Sequence, residues 1–432
     1  MSLLLLLAAC SGGPSVVVVG AGPAGLAAAE ASARSGARVS VLEADAEPGG
    51  AARWAAAITW VPTEAEAEAW RGEGSARSGA RERYLERVVP DFVEGLGLGF
   101  QPVPDPSGSG AHLVAPAGGG RAVVRVLVER ARRAGVVLRT GCPVAAVSRG
   151  EAGWRVDAGP CGAVQADRLI LTTGGFMGDL PEARTRLGLA DAQLLRSAPE
   201  RADGVGLELA AAAGAQVPDR LPGVVYAHAI PHPREADRAL MVVQSPSDAV
   251  VVDAAGVPQE GLLAVRGESG RALLSLPGQQ AWLIGAASGL GRVGAMPMDG
   301  RPVPLAEVAR VHGARAHDLP SLELRLGMAD GVLQALAFAA GGAPSAERPL
   351  PPRGPFIAVP LRPTPAKSLG GVHVDGEGRA RTAAGEVVPY LYAAGELTGF
   401  GGAHGASPRD STMIAGAVLG GWAAGAAAAT DP

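Results

Sequence analysis

Cysteine is scarce in this chain and unpatterned. Cys10, Cys142 and Cys161 show no C-x-x-C spacing, so neither a disulfide framework nor a cysteine metal site is expected, and no metal ligands stand out elsewhere. Basic runs are missing too. The formal net charge is −4, and nothing in the charge pattern suits nucleic acid. Lysine is sparse while alanine, glycine and arginine abound; this reads as codon-composition bias and carries no functional meaning by itself. No C-x-x-C-H occurs, so a fused c-type haem is not expected. With 432 residues there is room for about two domains and a full core.

What is present is organised around residues 16–50. Four valines at 16–19 predict a strand buried on both faces. They run into Gly20-Ala21-Gly22-Pro23-Ala24-Gly25, a G-x-G-x-x-G turn, then an alanine-rich helix ending at Gly36 and a second strand ending on Glu43. Gly20 permits the tight turn, Gly22 lets a diphosphate approach the backbone, and Gly25 lets helix and strand pack closely. The helix N-terminus offers free N–H groups and the positive end of its dipole. Glu43, 18 residues past Gly25, stands where a carboxylate accepts the hydroxyls of an adenosine ribose, which suits NAD or FAD and repels the 2′-phosphate of NADP. The alternative is a tight turn with no ligand.

The residues that follow select the flavin. Glu47-Pro48-Gly49-Gly50-Ala51-Ala52-Arg53-Trp54 resembles the "E…GG…W" segment of FAD-dependent dehydrogenases in the fumarate reductase and 3-ketosteroid dehydrogenase superfamily. Leu169-Ile-Leu-Thr-Thr173-Gly174-Gly175-Phe176 is similar to its "vilATGGf" turn. Tyr392-Ala-Ala-Gly395-Glu396 through Gly405 resembles "YAAGE.aGfGG..HG", and Asp410-Ser411-Thr412-Met413 stands where relatives carry "E-G-T-F". The resemblance implies an α/β fold: a Rossmann-type (GR2-like) FAD-binding domain with a parallel central sheet, at 14–216 and 351–432, interrupted by an inserted α+β capping domain at 217–350. It also implies roles. Ala44, Gly49, Gly50 and Ala51 lie along the cofactor; Val144 touches the adenine; Thr173, Gly174 and Gly175 close over the adenosine end; Glu396 binds a ribityl hydroxyl. Ser411, Thr412 and Met413 lie at the flavin's pyrimidine end. Covalent members carry a histidine soon after the Gly-Gly pair. None occurs here before His112, so non-covalent FAD is expected.

Catalytic expectations are thinner. Lys367 sits where dicarboxylate enzymes carry a substrate-binding histidine. Arg266 falls at the position of a proton-delivering arginine, with a solvated cap arginine as the alternative reading. Their second anion-binding arginine aligns with Pro408, or in the ketosteroid branch with Ser407; Arg409 is the nearest substitute. Tyr226, His228 and His232 mark a cap segment where relatives place a substrate-facing histidine, with His232 the candidate, and His404 is expected to line the site. The segment 143–147 is expected as a strand and 101–119 as a loop. Residues 411–430, uncharged but rich in alanine and glycine, are expected as a buried helix rather than a membrane span.

Leu7-Ala8-Ala9-Cys10 resembles a bacterial lipobox, with Cys10 as a lipid anchor and a periplasmic, membrane-tethered location. The alternative is a mis-called start ahead of a cytoplasmic protein. Expected partners are a small-molecule substrate and a separate electron donor or acceptor. Three functions stay open: an oxidoreductase acting on a C–C bond of an apolar, carbonyl-bearing and perhaps steroid-like substrate; a fumarate-reductase-like enoate reductase; and an FAD-binding module without catalysis.

Overall fold

A computed structural model of the chain describes residues 12–73, 79–105, 110–151, 153–242, 246–263, 269–296, 301–339, 342–345, 347–404 and 409–432. Cys10, Arg266, Ser407 and Pro408 lie outside the described residues.

The valine run forms β1 (Ser15–Val19). Its side chains alternate between two cores: Val16 and Val18 enter one, Val17 and Val19 the other, as a strand covered on both faces requires. From β1 the chain turns into α1 (Pro23–Arg34), with proline in its first turn, and on into β2 (Arg38–Leu42). Thr63 and Glu66 form a capping box at the start of α2 (Glu64–Gly72), followed by α3 (Gly79–Arg87). The segment expected as a loop holds two short strands, Gln101–Val103 and Leu113–Ala115, which pair with each other, and the second also pairs with Thr59–Trp60. Next come α4 (Gly119–Arg133) and β3 (Val137–Arg139).

A three-stranded antiparallel meander follows: β4 (Ala146–Gly150), β5 (Gly153–Asp157) and β6 (Ala163–Ala166). Its first strand begins at Ala146, not at Pro143 as expected, because proline has no N–H to donate to a ladder. The chain then enters β7 (Arg168–Leu171). The second sheet is built from β8 (Gly223–Pro231), β9 (Ala239–Met241), β10 (Ala249–Val252), β11 (Ala281–Ala286) and the 13-residue β12 (Phe356–Ser368). Its main path is β9-β8-β12-β11-β10, and a sixth, short strand, Ala314–Ala316, also pairs with β12; all pairings are antiparallel.

β13 (Arg379–Arg381) and β14 (Val387–Ala393) return the chain to the first sheet, whose order is β13-β14-β7-β1-β2-β3. Every pairing there is parallel except the edge pair β13–β14. The fold is therefore the α/β architecture expected: a parallel Rossmann-type sheet entered from both ends of the chain, with a second, mixed unit between.

The last helix, α5 (Met413–Thr430), lies along α1. Among the described residues it alone is long and apolar enough to cross a membrane, with mean hydropathy 1.4, and half of it is buried inside the protein. Its glycines explain the fit. A Cβ added at Gly421 would stand 2.2 Å from the Ala24 carbonyl oxygen, and one at Gly425 would stand 2.1 Å from that of Ala28. The Ser32 hydroxyl donates to the Gly425 carbonyl at 2.8 Å. By contrast, nothing lies within 4 Å of a Cβ at Gly420.

These contacts predict opposite effects at two glycines of the same helix. Gly425→Val is expected to lower stability by about 2 kcal/mol or more by wedging α5 from α1. Gly420→Ala is expected to be neutral or to add up to about 1 kcal/mol through helix propensity. Urea unfolding midpoints of the two variants check this.

Candidate functional site

The three glycine-rich segments meet at the C-terminal edge of the parallel sheet. Gly20 has φ +97°, and its N–H donates to the Leu42 carbonyl at 2.8 Å. At Gly25 a Cβ would stand 1.9 Å from the Gly20 oxygen, so this contact between turn and helix admits glycine alone. Gly22 is different: it caps α1 with no side chain covering the first turn, and a Cβ there would meet nothing within 4 Å. Pro23 opens the helix and Ala24 packs beneath Gly395, whose Cβ would be 2.8 Å from that of Ala24. The Gly49 N–H donates to the Ala21 carbonyl at 2.8 Å, and a Cβ on Gly50 would stand 3.5 Å from Gly22 Cα. The Gly49–Gly50 bend thus lies against the turn, with Ala44 half-buried and Ala51 exposed.

Glu43 is buried at the end of β2. Its Oε2 accepts the Ala21 N–H at 2.6 Å and its Oε1 the Asp45 N–H at 2.9 Å. Burial raises its pKa despite those two bonds. Each oxygen keeps lone-pair capacity for a hydroxyl. Val144 is buried in the loop after β3, two residues from Cys142, whose N–H donates to the Glu43 carbonyl at 2.8 Å. Beyond β7, Gly174 (φ +85°) faces open space, and the Thr173 hydroxyl is buried without a partner among the described residues. Gly175 closes on Ser368 and Glu396, and the Ser368 N–H donates to Glu396 Oε1 at 2.8 Å. Burial raises the pKa of Glu396 as well.

One expectation is corrected here. Cys142 and Cys161 form a disulfide, their Cα atoms 5.4 Å apart. The turn after β5 carries Cys161 back over the loop after β3, a proximity that a separation of 19 residues does not announce.

At the other end of the site, α5 begins at Met413 with no side-chain cap. Ser411 precedes it at φ +62°, and the Thr412 hydroxyl donates to the Arg409 carbonyl at 2.7 Å while standing 3.4 Å from His404 Nε2. His404 is buried beside Trp70 and Phe400. Burial, then the charge of Lys367, pulls its pKa down to about 4. Its Nδ1 accepts the Arg409 N–H at 3.3 Å. The Arg409 guanidinium turns away to Glu73 at 2.6 Å and lies over the Trp60 ring at 4.9 Å.

Lys367 ends β12 with its Nζ 2.5 Å from Asp410 Oδ1, and the Tyr226 hydroxyl donates to the same oxygen at 3.0 Å. The Tyr226 and His228 rings are 4.8 Å apart. His228 is 4% exposed with no partner for Nδ1 among the described residues. Its pKa falls to about 4, through burial first and the Lys367 charge second. Burial raises the Tyr226 phenol. Burial works against the Lys367 ammonium, but Tyr226 and Asp410 outweigh it and its pKa rises.

His232 is set apart: its Nδ1 accepts N–H groups of Arg234 and Glu235 at 3.3 and 3.1 Å, closing its own loop. Tyr226, His228 and Asp410 thus join Lys367 where His232 and Arg409 do not. The alternation Tyr226-Ala227-His228 is the signal in the sequence, since residues two apart on a strand share a face. A second signal is composition. Lys367 is the single lysine among 38 Lys and Arg residues.

Open space at Gly22 and Gly174, two uncapped helix starts and an orphaned buried hydroxyl suit a long ligand with a diphosphate at its middle. This defines a dinucleotide-binding α/β protein. The family model of the FAD binding domain matches residues 15–93 and 105–414, and the chain belongs to that family of FAD-binding proteins. It is 26% identical over 461 residues to the fumarate reductase (cytochrome) of Shewanella frigidimarina, covering 96% of this chain and 76% of that protein. It is 43% identical over 83 residues to a KsdD-like steroid dehydrogenase of Mycobacterium tuberculosis, a match spanning only 19% of this chain and 15% of the relative. Among solved structures, 3-ketosteroid Δ1-dehydrogenase from Sterolibacterium denitrificans superposes with a TM-score of 0.73 at 17% identity over 97% of this chain and all of that one. An open flavocytochrome c3 fumarate reductase does so with a TM-score of 0.68 at 22% identity over 96% and 78%. The structural likenesses establish the shared fold.

Two predictions follow from the geometry. Gly22→Ala is expected to leave the melting of cofactor-free protein within about 1 kcal/mol of wild type while weakening FAD binding at least about tenfold, read by flavin fluorescence titration. The second concerns pH. Unfolded histidine protonates near pH 6.5, but folded His228 and His404 resist until about pH 4. The unfolded state binds more protons in that window, so stability falls as pH is lowered through it, by on the order of 3 kcal/mol per histidine. The raised carboxyls of Glu43 and Glu396 act in the opposite sense, so the comparison is with His404→Gln. Its melting midpoint is expected to fall less steeply than wild type's between pH 7 and 5.

Proposed function

We propose that the protein is an FAD-dependent oxidoreductase acting on a CH–CH or C=C bond next to a carbonyl in an apolar substrate. The observation that carries this reading is the group of Lys367, Asp410, Tyr226 and His228, gathered where the second sheet meets the uncapped start of α5. FAD, when bound, supplies the two-electron redox chemistry. The chain supplies the rest. Gly20, Gly22, Pro23, Ala24 and Gly25, with Gly49, Gly50 and Ala51, hold the diphosphate; Glu43 and Ala44 meet the ribose, Val144 the adenine, and Thr173, Gly174 and Gly175 close that end. Gly395 and Glu396 take the ribityl chain, while Ser411, Thr412 and Met413 set the positive helix end at the pyrimidine. The lack of a histidine between Gly50 and His112 supports non-covalent binding.

Lys367 has three N–H donors and Asp410 takes one, which leaves donors to polarise a carbonyl oxygen. Tyr226, its proton held at neutral pH by burial, serves as acid or base at its hydroxyl oxygen. Electrons pass to or from a separate partner. The Cys142–Cys161 disulfide supports an oxidising compartment, and with it the reading of Cys10 as a lipid-bearing residue.

A fumarate-reductase-like activity is the second reading, favoured by the extent of the Shewanella match. Against it, Arg409 is committed to Glu73 and Trp60. Anaerobic bleaching of the purified flavoprotein by 3-ketosteroids, with reoxidation by their unsaturated counterparts, is the expected result. Reoxidation by fumarate alone favours the second reading, and inertness throughout favours a binding module. Lys367→Met is expected to keep the visible flavin spectrum and lose turnover about a hundredfold or more.

A further inference from the structure

We propose that Asp410 determines the substrate class of this site, admitting an uncharged ketone or enone and turning away carboxylates. The proposal rests on the reading of the Lys367 group as the substrate site. A carboxylate site wants an unspent cation, best an arginine whose planar fork pairs both oxygens. This chain uses arginine at every basic Lys/Arg position but one, and that one is Lys367. Its ammonium is already matched, with Nζ 2.5 Å from Asp410 Oδ1. Tyr226 donates to that same oxygen at 3.0 Å, so one carboxylate gathers both donors and the ion pair is neutral as a unit.

Among the described residues, the charged and titratable neighbours of Lys367 are already paired or neutral. His228 is 4% exposed, and burial keeps it neutral well below pH 7. Arg409 is paired with Glu73 at 2.6 Å. Buried Arg81 donates to the carbonyls of Ala403 at 3.0 Å, Trp70 at 2.7 Å and Glu73. A carboxylate entering here would lose water and find its charge uncompensated. A ketone oxygen needs only a hydrogen bond. The remaining N–H groups of Lys367 supply one, and the buried His228 ring, its Nδ1 without a partner among the described residues, lies on the same face. Asp410→Asn keeps the side chain's shape and an oxygen for both donors, while releasing the ammonium's charge.

The test uses FAD-loaded full-length protein and two probes, 4-androstene-3,17-dione and fumarate, with dissociation constants from calorimetry and kcat/KM from anaerobic assays. Wild type is expected to bind the ketone and not fumarate. Asp410→Asn is expected to raise the fumarate-to-ketone affinity ratio at least tenfold, and the double variant Asp410→Asn/Lys367→Met to abolish that gain. An unchanged ratio in Asp410→Asn, or wild type that binds fumarate in preference, overturns the proposal. Should Asp410→Asn lose its flavin, Lys367→Met decides alone. Ketone binding weakened tenfold with fumarate binding unchanged supports the proposal, and a tenfold loss of fumarate binding overturns it. Because affinity is read apart from turnover, a wild type that binds the ketone but never exchanges electrons with it defeats the proposed function and leaves the specificity assignment standing.

Discussion

The close approach of α5 to α1 is the contact on which the site depends. Gly421 and Gly425 sit one turn apart on α5 and press against the backbone of Ala24 and Ala28, also one turn apart on α1. The residue order matches, so the two helices run parallel. Met413, eight residues ahead of Gly421, therefore projects about 12 Å along the axis beyond the level of Ala24, in the first turn of α1. Two uncapped helix ends point the same way at a fixed offset. One suits a diphosphate and the other an electron-rich ring further along the same ligand.

The parallel sheet delivers the remaining pieces to the same edge. β1, β7 and β14 run side by side in one direction, and each is followed within three residues by a glycine with positive φ: Gly20, Gly174 and Gly395. Parallel strands empty their turns on one side, where open α/β sheets take their ligands. Two of the carboxylates gathered there, Glu43 and Glu396, are buried with raised pKa and hold backbone N–H groups in place. Burying acids is costly without partners; here each gains a backbone N–H from a neighbouring segment, Glu43 from Ala21 and Glu396 from Ser368.

The pieces legible in the sequence were those whose cause is local. The valine run and the glycine turn obey rules written within a few neighbouring residues, and α5 betrays itself as a core helix by its small side chains. What stayed hidden is long-range. Arg409 finds Glu73 across 336 positions, and Lys367 reaches Asp410 across 43. The disulfide depends on where a meander returns. His232 drew attention because relatives place a substrate-facing histidine in this segment, yet its own loop consumes its ring nitrogen, while the strand four residues earlier points His228 at Tyr226.

Composition held a clue that bias concealed. An excess of arginine says nothing about any one arginine, since drift in codon usage swaps lysine out wherever a surface charge is all that is needed. The same drift makes an exception informative. A guanidinium at 367 would be larger, planar and weakly hydrated, and it would fork both oxygens of Asp410 or of an incoming carboxylate. An ammonium is compact; held by one carboxylate oxygen, it keeps donors in reserve. In the proposed reading a neutral carbonyl oxygen uses that reserve, held by a single amine in a chain whose every other Lys or Arg position is arginine.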